Sequence, residues 1–205
     1  MGTMKRIVER QSIPPQEFFA LSVDQYHQMI TAGVFADDDR VELLEGHLVK
    51  KMSKSPIHAA VVMRMLSRLS QGCGPGFVVR VEQPITLANT LVDTLADSEP
   101  EPDVSVARGS DRDFDRRHPS ADDVELVVEV ASSSAELDRT VKLSIYARAG
   151  IACYVILILE SKTAEVYTKP QDGTYAKKTV LSGRQSLPVV LGGKKVGSVK
   201  LSDVF

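Results

Sequence analysis

The chain has 205 residues, of which 43% are hydrophobic and 25% are charged. This length and composition fit one globular domain with a substantial core and leave little room for a second. The net charge of -2 excludes an overall basic surface of the kind that drives non-specific binding to nucleic acids, so any such contact must depend on local basic clusters.

Several classes of protein are disfavoured by missing sequence features. No apolar stretch approaches the roughly 20 residues of a membrane span, and the N-terminal residues lack the apolar region of a secretory signal. Cys73 and Cys153 form no Cys-x-x-Cys pattern, and the four histidines have no zinc-ligand spacing. We therefore expect a cytoplasmic protein with neither a membrane segment nor a thiolate zinc site.

The N-terminal part of the chain predicts an arm, two helices and a hairpin. Residues 1–21 are expected to form the arm and residues 22–205 one domain. Ser22 is typical of an N-cap, and the helix that it opens should end near Gly33. Residues 41–44 and 48–52 predict a β-hairpin, after which Pro56 should open a helix that continues to Ser70.

The remainder of the chain predicts six strands and one further helix. The strands are expected over residues 77–87, around Val104 and over residues 124–130, 153–159, 164–168 and 175–181, with surface loops over residues 91–99 and 108–123. Ser133 and Glu136 have the spacing of a capping box, and the helix that they open should end before Gly150. This order of elements predicts an α/β fold with a mixed sheet flanked by helices.

Two carboxylates lie in hydrophobic strands. Glu129 follows Val127 and Val128, and Asp103 directly follows Pro102 at the start of another apolar run. A carboxylate in such a strand is costly to desolvate unless it is paired or bound to a cation. If the two strands are neighbours, both acids can converge on one hard cation such as Mg²⁺, which prefers carboxylate oxygens and water.

A lysine on the following helix completes this pattern. Asp138, Lys142 and Tyr146 recur at intervals of four residues, beside an apolar stripe on the same helix. A lysine at the edge of an apolar stripe can reach the sheet. There it could orient a water molecule for attack on phosphorus while a metal ion stabilises the developing charge.

At these residues the chain resembles the restriction-endonuclease-like PD-(D/E)XK superfamily of nucleases, whose signature is an Asp after Pro and then Asp or Glu, one spacer residue and Lys. More closely, it resembles the Uma-two family of endonucleases, from about Ser22 to Phe205. The stretches that carry the resemblance are residues 41–46 (VELLEG), 56–58 (PIH), 101–106 (EPDVSV), 126–130 (LVVEV) and 138–150.

The resemblance implies a Mg²⁺- or Mn²⁺-dependent endonuclease that hydrolyses phosphodiester bonds, with DNA as the expected substrate. It implies that residues 22–205 form one endonuclease-like domain. Asp103 and Glu129 would be metal ligands, Glu42 an additional acid at the metal, and Lys142 the catalytic lysine. It also implies a homodimer, because two cuts on a duplex suit a two-fold symmetric enzyme.

Two departures from the family pattern keep an alternative open. The superfamily's usual lysine position, two residues after the Glu, is Ala131 here, and Cys153-Tyr154-Val155 stands where Glu-Tyr-Trp is usual. The alternative is a catalytically inactive member of the same fold that serves as a binding or assembly module.

Each site residue also has a simpler interpretation when it is taken alone. Asp103 could be a strand-entry or turn aspartate, and Glu129 could pair with an arginine such as Arg80. Lys142 could pair with Asp138 on a solvated helix face. Glu42 could pair with a lysine of a neighbouring strand or face solvent, and His58 could be a helix-start residue without a chemical task. Among the basic clusters, residues 50–54 lie nearest the hairpin that carries Glu42 and are the best candidate for contact with substrate.

Overall fold

The structure is a computed structural model that describes residues 19–36, 38–88, 97–132 and 135–205. Most of the predicted arm, most of the predicted loop over residues 91–99 and the proposed cap Ser133 lie outside these residues and stay predictions. Among the described helices, none has the length and apolar character needed to cross a membrane.

The described residues form four α-helices and ten β-strands. The helices are α1 (Val23–Thr31), α2 (Pro56–Gly72), α3 (Ala135–Leu137) and α4 (Leu143–Arg148), and a π-helical turn (Asp138–Lys142) joins the last two. The strands are β1 (Val41–Leu44), β2 (His47–Lys50), β3 (Phe77–Val81), β4 (Val104–Arg108), β5 (Val124–Ala131), β6 (Cys153–Ile158), β7 (Thr163–Gln171), β8 (Thr174–Ser182), β9 (Ser186–Leu191) and β10 (Lys194–Lys200).

A six-stranded mixed sheet forms the centre of the fold, in the order β3-β4-β5-β6-β7-β8. Strands β5 and β6 are parallel and are joined through the helical segment from α3 to α4, whereas the other neighbours are antiparallel. The register of β4 on β5 sets Val104 opposite Val128. Asp103, the residue before Val104, therefore lies next to Glu129. The two strands are neighbours, which is the condition under which the two acids were expected to converge.

The two faces of the sheet are covered by different elements. Val128 and Val130 of β5 pack with α2 and with the β9-β10 hairpin in one apolar cluster. Val127 and Ala131 face the other way and pack with Tyr146 of α4 in a second cluster. Because side chains alternate along a strand, Glu129 points to the face covered by α4, and its neighbours on the opposite face are apolar as predicted.

The predicted starts of two helices are confirmed by their caps. The Ser22 side chain accepts a hydrogen bond from the Gln25 N–H, and the Gln25 side-chain oxygen accepts one from the Ser22 N–H, which is a complete capping box. Ser55 caps α2 through the His58 N–H, and Pro56 occupies the first turn, where its missing N–H costs nothing.

Three predictions of secondary structure need correction. The strand expected over residues 77–87 ends at Val81, because Glu82 adopts a left-handed φ of 52° and turns the chain out of the ladder. The helix that carries Lys142 is interrupted by the π-helical turn, in which the Leu143 N–H reaches back to the Asp138 carbonyl. The β9-β10 hairpin was not predicted, although Gly192 and Gly193 both have a positive φ in a two-residue connection.

Candidate active site

The four residues singled out from the sequence lie together in the structure. Glu42, Asp103, Glu129 and Lys142 are 3%, 6%, 4% and 5% exposed, respectively. They come from β1, from the residue before β4, from β5 and from the π-helical turn. We call these four residues the acid-lysine cluster.

Lys142 joins two of the carboxylates. Its Nζ lies 3.1 Å from Glu42 Oε1 and 3.0 Å from Glu129 Oε1, and the Tyr146 hydroxyl donates to the same Glu129 oxygen at 3.2 Å. The second oxygens accept backbone hydrogen bonds: Glu42 Oε2 from the Glu101 N–H at 3.0 Å and Glu129 Oε2 from the Asp103 N–H at 3.3 Å. Each carboxylate is thus fixed at both oxygens, as a buried charge requires.

These contacts exclude the simpler interpretations of the acids and of Lys142. Lys142 is buried instead of lying on a solvated helix face, and Glu42 pairs with this helical lysine instead of one from a neighbouring strand. Glu129 pairs with Lys142, whereas the Arg80 guanidinium stacks over the Phe114 ring at 5.2 Å.

The π-helical turn that presents Lys142 is anchored to the sheet. The Tyr154 hydroxyl, on β6, donates to the Asp138 carbonyl at 3.0 Å, and both Asp138 and Lys142 are buried. Tyr146 follows Lys142 by four residues and so lies on the same side of the helix. Single π turns are frequent at functional sites.

Asp103 has partners of its own. Its Oδ2 accepts from the Val130 N–H at 2.8 Å and lies 3.1 Å from His58 Nε2, and its Oδ1 accepts from Lys54 Nζ at 3.0 Å. Burial alone would raise the pKa of Asp103, but the hydrogen bond and charge of His58, the Lys54 ammonium and the Val130 N–H outweigh it and lower this pKa to about 2. Asp103 is therefore a carboxylate at neutral pH.

The pKa values of Glu129 and Lys142 are raised, in contrast to that of Asp103. Burial raises the pKa of Glu129 to about 8; the Lys142 ammonium opposes this shift, and the carboxylates of Asp103, Asp138 and Glu42 add to it. Burial would lower the pKa of Lys142, but Glu129, Glu42 and Asp138 raise it well above its ordinary range. Lys142 is consequently a fixed cation among carboxylates that repel each other.

Basic residues surround the solvent side of the acid-lysine cluster. Lys54 Nζ lies 2.7 Å from Glu82 Oε1 as well as contacting Asp103, and Arg40 lies 3.8 Å from the same Glu82 carboxylate. Lys51 pairs with Glu101, and Lys50 is exposed. Within the segment predicted for substrate contact, Lys54 thus contacts an acid of the cluster, and Lys51 pairs with Glu101, whose N–H donates to Glu42. We call Arg40, Lys50, Lys51 and Lys54 the basic rim.

Sequence reasoning missed the role of His58. It was interpreted as a helix-start residue, yet its Nε2 contacts Asp103, while its buried Nδ1 has no hydrogen-bond partner among the described residues. The only signal in the sequence is its position in the first turn of a helix that Ser55 and Pro56 define. No pattern in the sequence predicts that this turn packs against Asp103.

Comparisons with known proteins agree with this architecture. The model of the Uma2 family, described as "Putative restriction endonuclease", matches residues 23–195. No curated protein matches the chain significantly. A crystal structure of "a putative nuclease belonging to DUF820" from Anabaena variabilis ATCC 29413 matches with a TM-score of 0.66 at 16% identity, covering 90% of this chain and 97% of that one. At this identity the likeness shows the fold, and it confirms the expected mixed α/β core.

Proposed function

The protein belongs to the Uma2 family of putative restriction endonucleases, and from this we propose that it is a divalent-metal-dependent endonuclease that hydrolyses DNA phosphodiester bonds. The observation that carries the proposal is the acid-lysine cluster: two buried carboxylates on neighbouring strands, a third on the adjacent hairpin and one buried lysine that contacts two of them.

The donor set of the cluster fits a hard divalent cation. Asp103, Glu129 and Glu42 offer carboxylate oxygens, which Mg²⁺ and Mn²⁺ prefer. Burial is the main cause of the raised pKa of Glu129, and the nearby Asp103, Asp138 and Glu42 carboxylates add to it; a cation would relieve their repulsion. Asp103 and Glu129 would hold the ion and Glu42 would assist. Lys54 contacts both Asp103 and Glu82. If metal binding displaced Lys54 from Asp103, its ammonium would still pair with Glu82.

The bound metal would polarise a phosphoryl oxygen and lower the pKa of an attacking water. Lys142 has a different task. Its ammonium, which contacts Glu42 and Glu129, would donate hydrogen bonds to the incoming water or to the phosphoryl oxygen, where negative charge develops.

His58 and Tyr146 are positioning residues in this proposal. In the tautomer protonated on Nε2, His58 donates to Asp103 Oδ2 and so orients its carboxylate, and the Tyr146 hydroxyl does the same for Glu129. Partners that fix metal-binding carboxylates in this way contribute to metal affinity without touching the ion.

The basic rim supports a nucleic-acid substrate. Lys54 contacts Asp103, and Arg40, Lys51 and Lys54 pair with Glu82 and Glu101, so a nucleic-acid backbone would exchange its phosphates for these carboxylates. Such residues can neutralise backbone phosphates and set the scissile bond over the acids. A homodimer would present two such sites to the two strands of a duplex, and its mass in solution, measured by light scattering, tests this part of the proposal.

An inactive assembly module is the less favoured alternative. Its main support was the lack of a lysine at position 131, yet Lys142 brings an ammonium to Glu129 itself. Burying three carboxylates and a lysine is often less stabilising than burying apolar groups, so a purely structural role gives no reason for this cluster.

The proposal is tested by incubating the purified protein with supercoiled plasmid, linear duplex, single-stranded DNA and RNA, each with Mg²⁺, Mn²⁺ or EDTA. We expect metal-dependent cleavage of DNA by the wild type and by Glu160→Gln, whose residue is exposed at the β6-β7 turn, but not by Glu129→Gln. Equal cleavage by both variants, or no cleavage of any substrate by the folded wild type, would overturn it.

A further inference from the structure

A second group of metal-binding side chains lies outside the acid-lysine cluster. His27 of α1, Glu99 and His118 each offer one ligand atom, and these atoms all lie within 4.8 Å of one another. His27 Nε2 is 2.8 Å from Glu99 Oε1, and the His27 and His118 ring centroids are 6.3 Å apart. The three residues are 72 and 19 positions apart along the chain, which explains why no ligand spacing was visible in the sequence.

The backbone and a neighbouring side chain fix this arrangement. The Glu99 side chain is only 2% exposed, and its Oε2 accepts from the Thr86 hydroxyl at 2.7 Å, which leaves Oε1 to the histidines. The Glu99 N–H donates to the Leu43 carbonyl at 2.7 Å. The Thr86 N–H donates to the carbonyl of Pro119, the residue after His118, at 2.9 Å. Thr86 therefore holds the carboxylate and the segment that carries His118 in place together.

A plain hydrogen bond between His27 and Glu99 accounts for only part of this geometry. It gives no reason for the third group, His118, whose ring makes no hydrogen bond within the described residues. A half-buried imidazole that converges on an existing His-Glu pair is what a three-ligand metal site requires.

The site opens into a cavity. His27 and His118 line a cavity of about 1190 Å³ in which Arg116, Arg117 and Arg148 also lie. Glu42, Asp103, Glu129 and Lys142 do not line it. A metal held by three protein ligands here would keep one coordination position towards this cavity, open to water or to a further ligand.

The ligand set identifies the class of metal. Two imidazoles and one carboxylate suit Zn²⁺ and similar transition metals, whereas Mg²⁺ prefers oxygen ligands alone. Ligand atoms about 2.1 Å from a tetrahedral Zn²⁺ lie roughly 3.4 Å apart. The His27 and Glu99 donors are 2.8 Å apart and no pair of donors is more than 4.8 Å apart, so rotation of the two half-buried histidine rings can bring them to that spacing.

We propose that His27, Glu99 and His118 form a second metal site, which binds Zn²⁺ or a similar transition-metal ion and is independent of the acid-lysine cluster. The ion would join α1, the segment before β4 and the segment before β5, three parts of the fold that are distant in the chain. Since such a site does not exist in the unfolded chain, metal binding would stabilise the folded state.

The test is a titration of Zn²⁺ into metal-stripped protein by calorimetry, paired with thermal melts with and without Zn²⁺. We expect the wild type to bind Zn²⁺ and to melt at a higher temperature in its presence. In an Asp103→Asn background, which removes an acid of the acid-lysine cluster, His118→Ala and His27→Ala should each lower Zn²⁺ affinity at least tenfold and abolish the rise in melting temperature. His47→Ala, which changes an exposed histidine, and Asp103→Asn, which changes the acid-lysine cluster, should retain both effects.

Substitution of Co²⁺ for Zn²⁺ adds a spectroscopic readout, because cobalt bound by histidine in a four-coordinate site absorbs visible light. We expect this absorption in the wild type and in Asp103→Asn, and its loss in His118→Ala. Melts of the metal-free variants show whether each is folded. Absence of Zn²⁺ binding by the wild type, or unchanged affinity in both folded histidine variants, would overturn the proposal.

Discussion

Lys142 Nζ lies 3.0 Å from Glu129 Oε1, and both side chains are buried. The ion pair joins the π-helical turn to the centre of the sheet and places the same ammonium 3.1 Å from Glu42 Oε1. A buried pair of this kind contributes little net stability, but removal of one partner leaves an uncompensated charge.

Loss of the lysine should therefore affect both folding and chemistry. We predict that Lys142→Met lowers the free energy of unfolding by about 3–5 kcal/mol above pH 8, where Glu129 is ionised, because Glu42 and Glu129 lose their shared cation, and that it abolishes cleavage. Urea unfolding and plasmid nicking measure the two effects. Lys177→Met, at an exposed position of β8, is the matched control and should change neither.

A second substitution separates stability from activity. Adding Glu129→Gln to Lys142→Met removes one of the stranded carboxylates, so the double variant should be more stable than the sum of the two single changes predicts, by about 0.5–3 kcal/mol. It should remain inactive. Additive losses of stability would contradict the contact between the two residues.

The stability of the metal-free protein should depend on pH through the ionisation of the Glu129 carboxyl. The folded-state pKa of Glu129 is raised from 4.5 to about 8, so its contribution to stability is complete below about pH 4.5 and is lost as the pH rises through 8. We predict that the wild type loses more stability between pH 5 and 8 than Glu129→Gln does. Denaturant unfolding at several pH values measures the difference, and identical slopes in the two proteins would count against it.

Glu165 should show the opposite dependence on pH. Burial would raise its pKa, but hydrogen bonds from Arg139, Tyr167 and Lys178 outweigh this and lower the pKa to about 2. We predict that Glu165→Gln costs about 1 kcal/mol at pH 7, a modest value because the arginine and lysine are 40% and 44% exposed. The cost should shrink as the pH falls from 4.5 towards 2, where the wild-type carboxylate becomes protonated.

His58 offers a test of positioning at the acid-lysine cluster. We predict that His58→Ala weakens Mn²⁺ binding and lowers the cleavage rate, each by about 10–100-fold, because Asp103 loses the donor that orients its Oδ2. His58→Gln retains an N–H donor of similar reach and should recover part of both. Unchanged metal affinity in a folded His58→Ala protein would show that Asp103 does not depend on this contact.

Much of the site could be predicted because its chemistry is local in the sequence. A carboxylate inside an apolar strand, such as Glu129, stands out from its immediate neighbours, and Asp103 follows a proline at a strand start. The contacts made by His58 and by Glu99 could not be predicted in this way. They arise between segments that are brought together only by the fold, and neither residue has an unusual local pattern.

The errors in secondary structure have local physical causes. Residue 82 turns the chain with a positive φ that a glutamate rarely adopts, but Pro84, which cannot donate to a strand ladder, was a sign that the strand ends before residue 87. The π-helical turn differs from an α-helix by one residue, which a stripe at intervals of four does not reveal. The β9-β10 hairpin, by contrast, has a Gly-Gly turn that the same reasoning could have identified.

The central claim is that the acid-lysine cluster binds the divalent cation on which cleavage depends. Calorimetric titration of Mn²⁺ tests it most directly, in a His118→Ala background that removes the second proposed metal site. We predict one binding event that is retained with Glu160→Gln and lost with Asp103→Asn and with Glu129→Gln. Equal Mn²⁺ affinity in all of these proteins, or no binding in any of them, would contradict the claim.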